Sequence, residues 1–501
     1  MIPTGRIRWR VRPSRRYRYV RWRWRLMCGL IDAVGAAIWQ MFHWIRQGCA
    51  WLVGFSEASS GDLPVRRILI LQLDHLGDAV LSQVMFPFLR RRWPGAEIHV
   101  LASPWNQEIF QMIPEVDQLF LWPRNRFQRE GRQGLLGTLG WLAALLGWAW
   151  RLRAWKYDLA IDVRGELPHG LLMWLAGVRR RVGWASGGGG FLLTDWPAYR
   201  PCRPELHSRL ALLDCLGLRP EPPGRPPWPK LTPPQWAREN ILLRLTQVQK
   251  TAGSGSNQAA SDDAPKRPAR LPMVVCHIGA GTEAKQWPLE HWADLADQLL
   301  AQGKMIILVG AQADQPKAQA ILRRLQDPRQ PKRNVLSGRQ SVRVVPAGPG
   351  AAALWDWTGR LSVAELAALL EQAELFVGAD SGPAHMAAAV GTPVVVLMSG
   401  TNRAIQWRPR GPAVRVLRRP TACRPCHRTR CPLPDHPCMS RITPPQVLEA
   451  IDRLSAGRHS GADSSTGFFP APVPLRSRLG IVRALPAGVS TTSASAKEMD
   501  R

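Results

Sequence analysis

The sequence predicts an α/β protein built from two parallel-sheet domains. Three observations carry this. From Val65 onward, short apolar strand-like runs alternate with longer helical stretches, the pattern of βαβ units. A Ser-, Gly- and Lys-rich stretch at 246–270 interrupts the alternation, which then restarts. The length, 501 residues, exceeds one ordinary domain and suits two or three.

In chain order, residues 1–25 hold ten arginines and no acid, and 27–55 are apolar but interrupted by Asp32, His43 and Arg46. A spanning helix wants about 20 predominantly apolar residues, so a clean span is not expected. A basic, Trp-rich segment ahead of an apolar one fits an interfacial helix on anionic lipid. The alternatives are a disordered tail or residues ahead of the true start. A cleaved signal peptide does not fit, because the basic region is too long and no small-residue cleavage site follows.

RRILILQL then reads as a strand, DAVLSQVMFPFLRRRWP as a helix closed by proline, and AEIHVLAS and VDQLFLWP as strands. GLLGTLGWLAALLGWAWRLRAWK is a strongly apolar helix, and YDLAIDVRG is a further strand. Residues 219–235 are proline-rich. After the 246–270 stretch, LPMVVCHIGAG, KMIILVGA and LFVGADSG are strands, and PLEHWADLADQLLAQG is a helix stopped by glycine. In SVAELAALLEQAE, Ser362 can cap the helix with Glu365 three residues on. Residues 326–353 read as a loop insertion and 456–501 as a disordered tail. The expected domains are therefore a basic segment (1–64), a first α/β domain (65–245), a linker (246–270), a second α/β domain (271–455) and the tail.

The apolar share, 45%, is that of an ordinary globular protein. The formal net charge of +30 favours anionic partners: phosphates, anionic lipid or nucleic acid. Nine cysteines in a chain this long do not make a secreted disulfide scaffold.

Four constellations carry chemistry. LDHLGDAV sets Asp74, His75, Gly77 and Asp78 at the carboxyl end of the first strand, where open α/β sheets bind ligands. The plain alternative is helix capping by Asp78. HIGAGTEAKQWP can turn backbone N–H groups toward a phosphate, with Lys285 adding a point charge; otherwise Lys285 is a solvated lysine. Neither GxGxxG nor GxxxxGK[ST] is present, so neither a dinucleotide fingerprint nor a P-loop is supported. VGADSGPAHMAAAVGTP gathers Asp380, Ser381, Gly382 and His385 where a strand meets a small-residue helix, whose N-terminus attracts anions. His385 alone would read as a core histidine. Cys423, Cys426, Cys431 and Cys438 lie within sixteen residues and suit zinc or iron, or are incidental thiols.

Together the motifs resemble glycosyltransferase family 9, the heptosyltransferases of the lipopolysaccharide inner core. The resemblance spans about residues 66–454 and rests on ILILQLDHLGDAVLS, YDLAIDVRGE, RVGWASGGGGFLLTD, the KQWP step, the block from DWTGRLSVAEL through ADSGPAHMAAAVGTPVVVL, and the CRPC…CM run. It implies a GT-B fold, two Rossmann-like domains facing a cleft, and an inverting transfer that needs no metal. It implies that Asp78 is the general base and that Lys285 holds the donor diphosphate. Asp380, Ser381, Gly382 and His385 would form the donor loop, Asp314 would bind the ribose where the family often has Glu, and Leu361 would contact the adenine. Asp74 and His75 would order the loop, and Gly77 would let the acceptor approach. The implied donor is ADP-heptose-like and the acceptor an anionic lipid-linked glycan. Placement at the cytoplasmic face of the inner membrane is expected because activated nucleotide sugars are found there and no credible export signal is present, and peripheral membrane contact is expected from the basic and apolar start. The Arg-rich start, the 246–270 stretch and the tail are not family features. Two competing readings remain: a GT-B nucleotide-sugar epimerase, and a non-enzymatic scaffold whose Arg/Trp-rich start binds membrane or nucleic acid.

Overall fold

Two sheets organise the chain. The first has strands β1 (Arg67–Gln72), β2 (Glu97–Ala102), β3 (Gln118–Leu121), β4 (Leu159–Asp162) and β5 (Arg180–Val182), in the order β3-β2-β1-β4-β5. Every pairing in it is parallel. The second has β6 (Met273–His277), β7 (Met305–Val309), β8 (Val342–Val345), β9 (Ala352–Asp356), β10 (Leu375–Ala379), β11 (Val394–Met398) and β12 (Val414–Arg418), in the order β12-β11-β10-β6-β7-β9-β8. It is parallel except where β8 runs antiparallel to β9. The computed structural model describes residues 26–38, 40–41, 64–122, 135–200, 203–218, 227–253, 273–326, 342–345 and 352–459.

The strand sequences explain the layering. β4, β6, β7, β10 and β11 are buried along their whole length. Their near-continuous apolar runs are what a parallel sheet covered on both faces requires. The covering helices include α1 (residues 26–38), α2 (Leu76–Ser82), α3 (Phe86–Arg92), α4 (Leu135–Ala154), α5 (Leu167–Leu175), α6 (Glu205–Asp214), α7 (Gln235–Gly253), α8 (Leu289–Ala301), α9 (Val363–Gln372), α10 (Gly382–Ala389) and α11 (Pro444–His459). The expected capping box holds α9: Ser362 Oγ accepts from Glu365 N at 3.1 Å, and Glu365 Oε2 accepts from Ser362 N at 3.0 Å. Gly303 ends α8 with φ +75°, a backbone that glycine adopts without steric cost.

Several expectations are corrected. The helix expected over DAVLSQVMFPFLRRRWP is broken into α2 and α3 by a 3₁₀ turn at Gln83–Met85. Pro87 has no N–H to give Gln83 O, so the ladder tightens there. The 326–353 stretch is not all loop: β8 lies within it and β9 begins in it, because VRVV and AALW supply a β-branched edge and its apolar partner. α7 runs to Gly253, into the expected linker, and packs against α9, with Arg238 bidentate on Glu371 at 2.7 Å. α11 continues to His459. The remainder of the linker and of the tail lies outside the described residues.

In both sheets the strand order turns back beside the first strand: between β1 and β4, and between β6 and β10. Crevices for ligands open at such switch points, at the carboxyl strand ends. The two lobes meet there, α2 against α10.

Candidate active site

In the first lobe, β1 hands over at Leu73 and Asp74 to α2. His75 is the N-cap residue, and its side chain makes no cap bond. Asp78 stands in the first turn and does not cap, so the plain capping alternative fails. Instead its Oδ1 accepts from Arg209 Nη2 at 3.0 Å. Arg209 is buried on α6 and also donates to Ser82 Oγ at 3.1 Å and Val163 O at 3.0 Å, and pairs with Glu205 at 3.4 Å. Glu205 in turn accepts from Gln406 of the second lobe at 2.7 Å.

The turn after β4 supplies the other half of the cluster. Arg164 pairs with both Asp74 and Glu166. Asp162 shapes that turn by accepting from the N–H groups of Arg164 and Gly165 at 3.0 Å and Glu166 at 3.2 Å, with His169 Nδ1 at 2.9 Å. Gly165 is required: its φ is +72°, and a Cβ there would sit 2.3 Å from Trp184 Cβ.

These surroundings push the Asp78 carboxyl up to about 7. Burial is the largest cause and the Asp74 carboxylate the next; Arg209 opposes them. A carboxyl with that affinity can accept a proton near neutrality and hold it.

In the second lobe, Lys285 lies in a 3₁₀ turn beyond β6, and its Nζ pairs with Asp380 Oδ2 at 2.9 Å and donates to Asp380 O at 3.1 Å. Asn402 Nδ2 reaches the same carboxylate at 3.3 Å. Ser381 is the N-cap residue of α10, with its Oγ 3.4 Å from His277 Nδ1. Burial pushes His277 and His385 down to about 4, so both imidazoles are neutral near pH 7. At the neighbouring strand end, Asp314 accepts from Lys317 Nζ at 2.7 Å and Ala311 N at 3.1 Å. Gly279 lets it come close, because a Cβ there would fall 2.2 Å from Asp314 Oδ2. Leu361 is partly buried just past β9, which pairs with β7.

The lobes touch through two glycines. A Cβ on Gly77 would be 3.0 Å from His385 Cδ2, and one on Gly382 would be 2.7 Å from Leu76 Cδ2. The missing side chain of Gly77 leaves room for the His385 ring. The backbone carbonyl of Asp74 accepts from Trp105 Nε1 at 2.8 Å and Asn106 Nδ2 at 2.9 Å. His75 is exposed.

Sequence reasoning named Asp78 and the donor-side residues but missed Arg209, Arg164, Glu166, His277 and Asn402. Arg164 and Glu166 sit in YDLAIDVRGE, and a charged pair right after a buried strand was the signal. Arg209, 131 positions from Asp78, has none.

Among the described residues, the side chains whose ligand atoms all lie within 4.8 Å are Asp74, His75 and Asp78, not the cysteines. Cys423 is exposed and Cys438 buried. Cys438 lies within electrostatic reach of Cys431, Cys423 and Cys426. The cysteine loop does buttress the second cluster: Ala284 N donates to Thr429 O at 2.9 Å, and Cys426 N to Gly400 O at 3.0 Å.

Residues 234–347 and 348–436 match the family described as glycosyltransferase family 9 (heptosyltransferase). The chain is 24% identical over 400 residues to lipopolysaccharide heptosyltransferase 2 of Escherichia coli K12, covering 77% of this chain and 98% of that protein. It is 25% identical over 342 residues to lipooligosaccharide heptosyltransferase 2 of Haemophilus influenzae, covering 67% and 84%. The solved E. coli ADP-heptose lipopolysaccharide heptosyltransferase II shares its fold, with TM-score 0.57, 22% identity, and 78% and 99% coverage. So does a family 9 glycosyltransferase of Veillonella parvula, with TM-score 0.58, 18% identity, and 79% and 99% coverage.

Proposed function

We propose that this chain is a glycosyltransferase of the family 9 type and that it transfers heptose, with inversion, from an ADP-sugar to a lipid-linked glycan of the lipopolysaccharide-core type. The observation that carries the reading is the Asp78 carboxyl, raised to about 7 and held at the switch point of the first sheet, with the Lys285–Asp380 pair at that of the second.

In this reading Asp78 takes the proton of the acceptor hydroxyl. That oxygen forms its bond to the anomeric carbon from the face opposite the diphosphate. The carbon–oxygen bond to the diphosphate breaks, and its electron pair leaves on the phosphate oxygen. Lys285 and the N–H groups at the start of α10 receive that charge. Asp314 and Leu361 hold the nucleoside end, Asp380, Ser381, Gly382 and His385 line the donor loop, and Arg209 keeps Asp78 aimed. The basic chain suits a phosphorylated acceptor at the inner face of the cytoplasmic membrane. The transfer step asks for no metal; a structural zinc or iron on Cys423, Cys426, Cys431 and Cys438 would first have to draw the four sulfurs together.

Thermal-shift titration with a nucleotide panel tests the donor site, because a ligand held by the folded state raises apparent stability. A shift with ADP that is lost in Lys285→Ala supports the reading. A shift with UDP or GDP instead keeps the fold and overturns the heptose donor. Incubation with donor alone separates transfer from epimerisation, which would release product without an acceptor.

A further inference from the structure

Among the described residues, α1 is anchored through one side. Cys28, Asp32 and Ala36 are buried at a four-residue spacing. Asp32 Oδ1 accepts from Gly189 N at 2.6 Å, and Cys28 Sγ reaches Gly187 O at 3.7 Å. Gly35 lies bare against the Phe191 ring, where a Cβ would come within 2.3 Å. The other side of the helix shows Leu26, Leu30, Val34 and Ile38, each between 47% and 60% exposed. Four apolar residues at i, i+4, i+8 and i+12 make a continuous stripe.

α4 repeats the arrangement. Leu145, Ala149 and Leu152 are buried in the first lobe's core, whereas Leu142, Leu146 and Trp150 face outward, Trp150 at 78% exposure. A helix apolar on both faces is not built for water alone. α4 packs on α5, and α5 packs on the 190–192 turn beside the 187–189 seat of α1. Trp174 of α5 is exposed between them in the chain of contacts.

Charge selects the occupant. The ten arginines of residues 1–25 immediately precede α1. Arg124, Arg126, Arg129 and Arg132 precede α4, and exposed Arg151, Arg153 and Lys156 follow its outward face. A second copy of a chain with net charge +30 would bring like charge against like. No described helix is long and apolar enough to cross a membrane. We propose that the outward stripes of α1 and α4 form a bilayer-docking surface, which seats on anionic lipid with leucine, valine and tryptophan in the acyl boundary and arginine at the headgroups. This deepens the reading above, whose acceptor is lipid-linked, by naming the face the enzyme turns to that lipid.

The test is co-sedimentation of the purified full chain with vesicles of phosphatidylcholine alone or mixed with phosphatidylglycerol. Binding to the mixed vesicles is expected, with Leu30→Glu/Val34→Glu losing roughly tenfold or more in partition. Trp150→Glu, on the independent helix, is expected to lose several-fold. Thermal midpoints equal to that of the parent chain would exclude misfolding. Unchanged partition in both variants, or failure of the parent chain to bind either vesicle, overturns the proposal. So does a parent dimer that the same substitutions split, because the stripes would then be a self-association face. Vesicle binding is read without donor or acceptor, so its failure and the failure of the proposed transfer are separate results.

Discussion

The two lobes share a topology and differ in electrostatics. Each places its polar cluster at the carboxyl edge beside its first strand, where the strand order turns back. The first lobe's cluster is dense in charge: Asp74, Asp78, Glu166 and Glu205 are interleaved with Arg164 and Arg209. Burial, with the neighbouring Asp74 carboxylate second, lifts Asp78 to about 7. The second lobe's cluster has two separate ion pairs, Lys285–Asp380 and Lys317–Asp314, beside imidazoles that burial keeps neutral. One architecture thus carries two kinds of chemistry: a group that exchanges a proton near neutrality, and a lysine paired with a buried carboxylate.

The largest effect should come from the proton-exchanging side. Asp78→Asn is expected to lower kcat about 10²–10⁴-fold, the range for removal of a general base, with the ADP-induced thermal shift unchanged. Full activity would remove the contrast between the lobes.

Lys285→Ala should do the opposite, weakening ADP binding by roughly tenfold or more. It also strands the buried Asp380 carboxylate, at about 3–5 kcal/mol of stability. Lys285→Ala/Asp380→Ala should recover much of the thermal midpoint and none of the ADP shift. Recovery of both would mean that the pair is structural only.

Next is the seam. Gly77→Val places branches where even a Cβ is 3.0 Å from His385, so the α2–α10 contact must open. Several-fold loss of kcat with intact ADP binding is expected, measured by turnover and titration on the same sample. Equal loss in both would mean that the seam supports the donor lobe itself.

The smallest effect is in pH dependence. Activity should rise with pH through about 7, as Asp78 deprotonates. Arg209 pulls that pKa down, so Arg209→Gln should move the rise to higher pH. The two histidines act on stability instead. Their folded pKa values are depressed from 6.5 to about 4, so the stabilisation they lend is complete above about 6.5 and is lost as pH falls toward 4. Thermal midpoints across that window in His385→Gln should fall less steeply than in the parent chain.

Much of this was legible in residue order. The buried parallel strands announced themselves as ILILQL, MVVCH and VVVLM, and the capping box as Ser362 and Glu365. Gly-Asp after the first strand and Asp-Ser-Gly after a later one marked both strand-end sites. Asp32 read as an interruption of an apolar segment, yet it is the anchor that docks α1 on Gly189. Gly77 read as room for an acceptor, and the fold also sets it against His385. Arg209 read as one arginine among many in a chain carrying 67 lysines and arginines.

Local sequence therefore determined most of the strands and helices and which strand ends carry polar residues, though not every boundary. Those features depend on period, caps and turn residues within about one helical turn. Only the tertiary structure decided that Arg209 meets Asp78 131 positions away, that Gly77 meets His385, and that α1 shows an apolar stripe to solvent. Such pairings are set by how buried faces pack, and the charge on Asp78 depends on the dielectric and the neighbours that packing brings together.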